Sequence, residues 1–278
     1  IRFDVILAMD DDALDFLLQY RNELFGKVPV VFCGINRLKK KELEGQELYT
    51  GVNEEADIRA TLDFMLKIHP QTKRVYALVD ETTTGLIIHE KLLEMIPEYQ
   101  SRVELRILEK MSMAEVLNTV ANIPDNSLVL LTVFQKDKTG AFFEFNETPA
   151  MISKVSKARL YGLWDFNLGY GIIGGMLTSG YTQGLEAGEI ACRILKGEKT
   201  GNIPVLVKSP NCFMFDYNEL KRWKIKRSSL PEESVVINEG GAFYVLHKGL
   251  VFVGVSGFAG LTVIIILLLI SIRQHIRG

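Results

Sequence analysis

The 278-residue sequence is poor in the side chains that most often carry catalysis. It has three cysteines, Cys33, Cys192 and Cys212, an odd number with no close spacing, so neither a disulfide framework nor a paired-cysteine metal motif follows. Cys33, in VVFCG, and Cys192, in EIACRIL, sit among apolar neighbours and read as small core residues. Only four histidines occur, His69, His89, His247 and His275, and they match no metal-ligand spacing. No Ser or Cys lies in a local nucleophile motif. An excess of one charge is also lacking, with 32 Lys+Arg against 34 Asp+Glu, which argues against a general nucleic-acid binder. No catalytic residue, metal or cofactor is therefore expected.

Charge is unevenly spread. The 24 residues 249–272, GLVFVGVSGFAGLTVIIILLLISI, carry none, and the tail beyond them adds only Arg273 and Arg277, which leaves −4 on residues 1–248. As a helix the run would be about 36 Å long, enough to cross the roughly 30 Å hydrocarbon core of a bilayer. It is apolar all round and lies too late for a signal peptide, so it reads as a single transmembrane helix. Residues 241–248 form the juxtamembrane linker and 273–278 the start of a cytoplasmic region. Arg273 and Arg277 favour a cytoplasmic C-terminus and a periplasmic or extracellular body at the inner membrane. Small residues at Gly249, Gly254, Ser256, Gly257 and Gly260 would let two spans pack as a homodimer. Beginning on Ile1 in a strand-like segment and stopping just past the span, the sequence reads as a piece of a longer protein.

In the body, apolar strand-like runs alternate with amphipathic stretches. Phe3 to Met9 precedes a helical pattern from Asp12 to Leu24; Val28 to Cys33 and Leu48 to Val52 follow, then helical patterns at Glu54 to Ile68, Thr84 to Met95, Met113 to Ile123 and Ala150 to Lys157. Between these lie RVYALVD, VELRIL, LVLLTVF and RLYGLWDF. Continuous apolar strands separated by helices indicate an α/β protein with parallel sheets covered on both faces. Ligands in such folds sit beyond the carboxyl ends of the strands. The residues there, Asp10, Asn36, Glu81, Thr83, Gln135, Trp164 and Asp165, are carboxylates, amides, a hydroxyl and an aromatic. They suit hydrogen bonding to a small polar ligand better than turnover, with Trp164 as a flat wall.

Three motifs have competing readings. Asp10, Asp11 and Asp12 suggest a cation site but equally cap a helix. One of Thr82, Thr83 and Thr84 is an expected N-cap. Gly169-Tyr170-Gly171-Ile172-Ile173-Gly174 is a literal G-x-G-x-x-G after a strand, yet the helical pattern starts only near Tyr181, which speaks against a dinucleotide site.

The segments FDVILAMDDDALDFLLQYRNELFGKVPVVFCGIN (3–36), GIIGGMLTSGYTQGLEAGEIACRILKGEKTGNIPV (171–205) and SPNCFMFDYNELKRWKIKRSSLPEESVVIN (209–238) resemble the ABC transporter substrate-binding protein family, in particular the periplasmic binding protein type I-like sensor domains of bacterial histidine kinases. The resemblance implies two flavodoxin-like lobes around a ligand cleft, with residues 1–52 in the first lobe, 53–165 mainly in the second and 166–240 crossing between them. It also implies that a first strand and helix facing the cleft are absent here, and that the domain is a non-enzymatic sensor of a two-component receptor. A membrane-anchored transporter subunit, a nucleotide-dependent α/β enzyme using Gly169 to Gly174, and a pure interaction module remain as alternatives.

Overall fold

The computed structural model describes residues 2–38, 43 and 45–240, together with eight residues between 249 and 265. It separates two compact units, residues 1–238 and 239–278. The first contains ten strands and seven helices among the described residues.

The opening layer is a parallel sheet of β1 (Ile6–Met9), β2 (Val30–Ile35) and β3 (Tyr49–Asn53) in the order β1-β2-β3. Helix α1 (Asp11–Leu24) starts where the Asp10 side chain accepts the Asp11 N–H, and two acids in its first turn suit the helix dipole. It presents Leu14 and Leu17 to Val30, Phe32 and Ile35. The other face of β2, Val31 and Cys33, packs against Ala187, Ile190 and Ala191 of α6 (Gly180–Leu195). Covered on both sides, β2 has no need of a polar face, which explains its unbroken apolar run. A register shift between Phe32 and Ile35 falls at Gly34, whose φ of 70° is open to glycine at little cost, and it returns Ile35 to the Phe32 side.

The second layer is a four-stranded parallel sheet, β5-β4-β6-β7, formed by β4 (Arg74–Val79), β5 (Glu104–Leu108), β6 (Ser127–Val133) and β7 (Arg159–Gly162). Alternation again assigns the faces. Val75, Ala77, Val79, Leu128 and Leu130 join the core with α2 (Ile58–Ile68) and α3 (Thr83–Tyr99). Tyr76, Leu78, Val129 and Leu131 join the core with α4 (Met113–Ala121) and α5 (Glu147–Val155).

Beyond β7, the strands β8 (Gly174–Leu177), β9 (Cys212–Asp216) and β10 (Val235–Ile237) continue this layer, with α7 (Tyr217–Arg222) between the last two. Thr178 N–H donates to Leu163 O at 2.8 Å and Ile173 N–H to Leu160 O at 2.7 Å, which lays β8 beside β7. The two main sheets are parallel, as expected, and the antiparallel pairing of β8 with β9 is an addition that the pattern did not announce. Of the G-x-G-x-x-G glycines, Gly174 belongs to this seam and Gly171 packs against α5. A Cβ on Gly174 would lie 2.0 Å from Met214 O, and one on Gly171 would lie 2.2 Å from the Ser153 Cβ. They permit close backbone approach and lead into a strand, so they do not open a helix toward a pyrophosphate.

The chain passes between the two layers three times, at 54–57 between β3 and α2, at 178–179 between β8 and α6, and at 206–211, where Leu206 pairs with Val52 before the chain turns to β9. Two separately cored α/β layers joined in this way are consistent with two lobes. The helix expected from Glu54 begins only at Ile58, because Asp57 accepts the Ala60 N–H and sets the N-cap there. Cys192 is exposed, contrary to expectation, since the buried stripe of α6 runs through Ala187, Ile190 and Ala191.

The expected linker at 241–248, most of the expected span at 249–272, and residues 273–278 lie outside the described residues. The eight that are described there are helical, and the Thr262 hydroxyl donates to Phe258 O at 2.8 Å. Among the described residues no helix is long and apolar enough to cross a membrane.

Candidate functional site

The carboxyl ends of β1, β2, β3 and β7 bring three expected residues, Asp10, Asn36 and Trp164, around one that the sequence reading passed over, Glu54. The Trp164 indole N–H donates to Glu54 Oε1 at 3.2 Å, which joins the end of β7 to the end of β3. The Glu54 N–H donates to Ile35 O at 3.0 Å and fixes the residue beside β2. The Asn36 amide lies near enough to the Glu54 carboxylate to favour its charged form, and the charges of Asp10 and Asp11 reach it. Asp10 keeps its place through its N–H to Cys33 O at 3.1 Å and holds a φ of 82°, an unfavourable value for a residue with a Cβ. Gly34, at a φ of 70°, lies directly against this group, 3.5 Å from Asp10 N and 3.9 Å from Glu54 Oε2 as measured from the position of a Cβ.

The electrostatics follow from this crowding. Burial pushes the Glu54 carboxyl up from the ordinary range; the Trp164 N–H works against that shift, the Asp10 charge adds to it, Asn36 opposes it and Asp11 adds again. Burial also raises Asp11, opposed by the backbone N–H groups of Arg37 and Asn36 and by the Arg37 charge. Three carboxyl groups thus share a small region, with the Arg37 guanidinium 3.9 Å from Asp11 Oδ1 beside them. Beside them an aromatic wall extends outward. Trp164, 6% exposed, stacks on Phe166 with ring centroids 6.2 Å apart and planes at 17°. Phe166 meets Phe145 at 4.1 Å, and both of these outer rings are exposed.

The remaining expected residues are less closely joined to this cluster. Gln135 is half-buried at the end of β6, where its N–H donates to Asp80 Oδ2 at 2.8 Å. Asp80 Oδ1 accepts from the Thr82 hydroxyl and N–H, so this buried carboxylate ties the loops after β4 and β6 together. Thr82 is the N-cap of α3, and Glu81 and Thr83 stand exposed on either side of it. Asp165 opens a short 3-10 turn, with its N–H on Thr178 O at 3.0 Å and its charge near Cys212. No hydrogen bond links Glu81, Thr83 or Asp165 to Glu54 among the described residues. Gln183 of α6, which is almost wholly buried, carries no sequence signal. Glu54 did have a signal, an acid directly after a strand as at Asp10, but the helical pattern was extended over it. Among the described residues no group of His, Cys, Asp and Glu is arranged to hold a metal ion.

The family described as ABC transporter substrate binding protein matches residues 19–233. Three solved structures share the fold, each matched over 84% of this chain and 78% of its own. They are a ligand-free, open substrate binding protein with adhesive properties from Clostridium difficile (TM-score 0.61, 13% identity), an ABC domain in complex with L-Trp from Streptococcus pneumonia (0.58, 16%), and a conserved domain protein from Vibrio cholerae (0.57, 15%). Among curated proteins no match was found.

Proposed function

The chain belongs to the ABC transporter substrate binding protein family, and on that premise we propose that residues 1–240 bind a small polar ligand bearing a positive charge, as the sensor region of a membrane signalling receptor. The observation that carries this reading is the Trp164–Glu54 bond, which gathers Asp10, Asn36 and an aromatic wall at facing strand ends. An ammonium group would offset the mutual repulsion of Glu54, Asp10 and Asp11, while an apolar or aromatic part would lie along Phe166 and Phe145. The L-Trp bound by the Streptococcus protein carries both chemistries. In this reading Gln135, Asp165, Glu81 and Thr83 would add ligand contacts from the ends of β6, β7 and β4. The family is one of binding proteins, so no turnover is assigned to this region.

Contacts from both layers would favour the closed form only by the difference in affinity between closed and open states. Closure would then reorient the segment from Val235 to Lys248 that leads into the apolar run 249–272. That run is the proposed single inner-membrane span, with the body periplasmic or extracellular and a histidine kinase as the output. Supporting it are the helical state of its described residues and the exposed apolar side chains of Phe252, Phe258, Leu261 and Ile265. The family match equally favours a second reading, an anchored subunit of a transporter.

Calorimetric titration of the full chain in detergent with amino acids, carboxylates, sugars and purines tests the binding reading. Uptake of a cationic ligand that is lost in both Glu54→Gln and Trp164→Ala is expected. A ligand whose affinity ignores both changes would sink the site. Gene sequence beyond residue 278 separates receptor from transporter: a dimerisation and kinase module supports the first, a stop codon the second.

A further inference from the structure

We infer that Gln183 is a positioning residue that ties the ligand cleft to the three interlobe crossovers, an inference that rests on the binding reading above. Gln183 is 2% exposed on the face of α6 that otherwise offers Ala187, Ile190 and Ala191 to the β1–β3 sheet. An amide on an apolar face destabilises the fold unless its hydrogen bonds are made, so its partners matter. All are present. Its Oε1 accepts the Gly34 N–H at 3.3 Å, and its Nε2 donates to Asn53 O at 3.1 Å and to Ser209 Oγ at 3.1 Å.

The network runs on from there. Ser209 Oγ–H donates to Asn211 Oδ1 at 2.7 Å, and Asn211 Nδ2 donates to Glu55 O at 2.6 Å. The first crossover is therefore gripped at the carbonyls of Asn53 and Glu55, the two residues flanking Glu54. The third crossover is gripped at Ser209 and Asn211. The second runs directly into α6, where the Ser179 side chain caps the helix and the Thr182 hydroxyl reaches Pro210 O at 3.2 Å. At the other end of the network, Gly34 lies against Asp10 and Glu54. One side chain thus connects the cleft floor to all three connections. A cavity of about 500 Å³, lined by Glu55, Asp57, Met176, Ser209 and Asn211 among others, lies against these crossovers. The network acts beside the packing of Ala56 into the second-layer core and the pairing of Leu206 with Val52, which also hold the crossovers.

Gln183 then sets the resting angle between the lobes, and its loss lowers ligand affinity by depleting the binding-competent angle, without removing a ligand contact. The test measures lobe geometry with no ligand added. Cys192, exposed on α6, and Lys154→Cys on α5 take nitroxide labels in a Cys212→Ser background, and Cys33 is buried. Pulsed dipolar spectroscopy of the full chain should give a narrow distance that broadens in Gln183→Leu. Gln183→Glu keeps an acceptor for Gly34 but loses both donations, and should broaden it too. Ile190→Ala, on the same buried face, controls for simple destabilisation and should lower the melting temperature while keeping the narrow distance. An unchanged distance in folded Gln183→Leu, or equal broadening in Ile190→Ala, would overturn the assignment. If Gln183→Leu fails to fold, Gln183→Glu and Asn211→Ala decide on the same criteria. Because no ligand is involved, this outcome is separate from calorimetry: a broadened distance without ligand uptake sinks the binding reading alone.

Discussion

Replacing Glu54 by Gln should raise the stability of the ligand-free protein while removing ligand binding. The substitution keeps an oxygen for the Trp164 N–H, so the 3.2 Å bond survives as a neutral one. A hydrogen bond to a charged group contributes about 1.5–3 kcal/mol and a neutral one about 0.5–1.5, so roughly 1 kcal/mol is lost there. Against this, the variant no longer buries a carboxylate beside Asp10 and Asp11. The upward push on the Glu54 carboxyl says that burial and like charge outweigh the Trp164 bond and the Asn36 amide. The net change at neutral pH is then a gain; relaxing a functional site commonly yields about 0.5–2 kcal/mol, and each kcal/mol is about 2–4 °C in melting temperature for a chain of this size. The pH dependence carries the sign. A carboxyl raised above its unfolded value contributes stability that is full below the unfolded pKa near 4.5 and is lost as pH rises through the higher folded value. The advantage of Glu54→Gln should therefore appear above that folded value and vanish toward pH 4. Thermal unfolding of both proteins between pH 4 and pH 8 measures it. A wild-type protein that is more stable than the variant at pH 7.5 would refute the reasoning.

Three further outcomes are expected. Asp80→Ala leaves the Thr82, Gln135 and Lys136 N–H groups without their acceptor and should cost about 3–5 kcal/mol in denaturant unfolding, with the loops after β4 and β6 losing hydrogen-exchange protection first. Gly174→Ala would force a Cβ to 2.0 Å from Met214 O, and should cost about 1–3 kcal/mol by separating β8 from β9, whereas Gly184→Ala, with open space, should stabilise or be neutral. His69, half-buried with its Nε2 2.7 Å from the Tyr161 hydroxyl, is pushed down to about 4 by desolvation and then by the Arg159 charge. Its neutral form supports the fold above pH 6.5, and that support is lost as pH falls from 6.5 toward 4. His69→Gln should flatten this part of the stability profile in urea titrations.

The α/β alternation was legible because the central strands β2, β4 and β6 are buried on both faces and so read as continuous apolar runs. The ends of β1, β2 and β7 could be found the same way, which is why Asp10, Asn36 and Trp164 meet in space. Glu54 was hidden because residues 54–57 continue the charge and apolar rhythm of α2; only the Asp57 cap reveals that the chain is still crossing. The antiparallel β8–β9 seam was hidden for a different reason. Its determinants are glycines chosen for backbone approach, and a glycine in sequence does not say which neighbour it admits. Gln183 was invisible because a lone amide in a helix has no signature until its partners, Gly34, Asn53 and Ser209, arrive from distant parts of the chain.

That α6 covers the second face of β2 has a consequence for biogenesis. Residues 54–165 hold the four parallel strands and helices of one layer as a continuous stretch, so most of that layer has its partners as soon as the stretch leaves the ribosome. Val31, Cys33 and Val52, by contrast, wait for Ala187, Ile190 and Ile203, about 150 residues later in synthesis. At roughly 5–20 residues per second this is an interval on the order of ten seconds. For that time an apolar sheet face with two strongly β-forming strands is uncovered. The early strands are therefore the segment that holding chaperones should engage, and the segment where slowed translation between residues 60 and 190 should most increase aggregation.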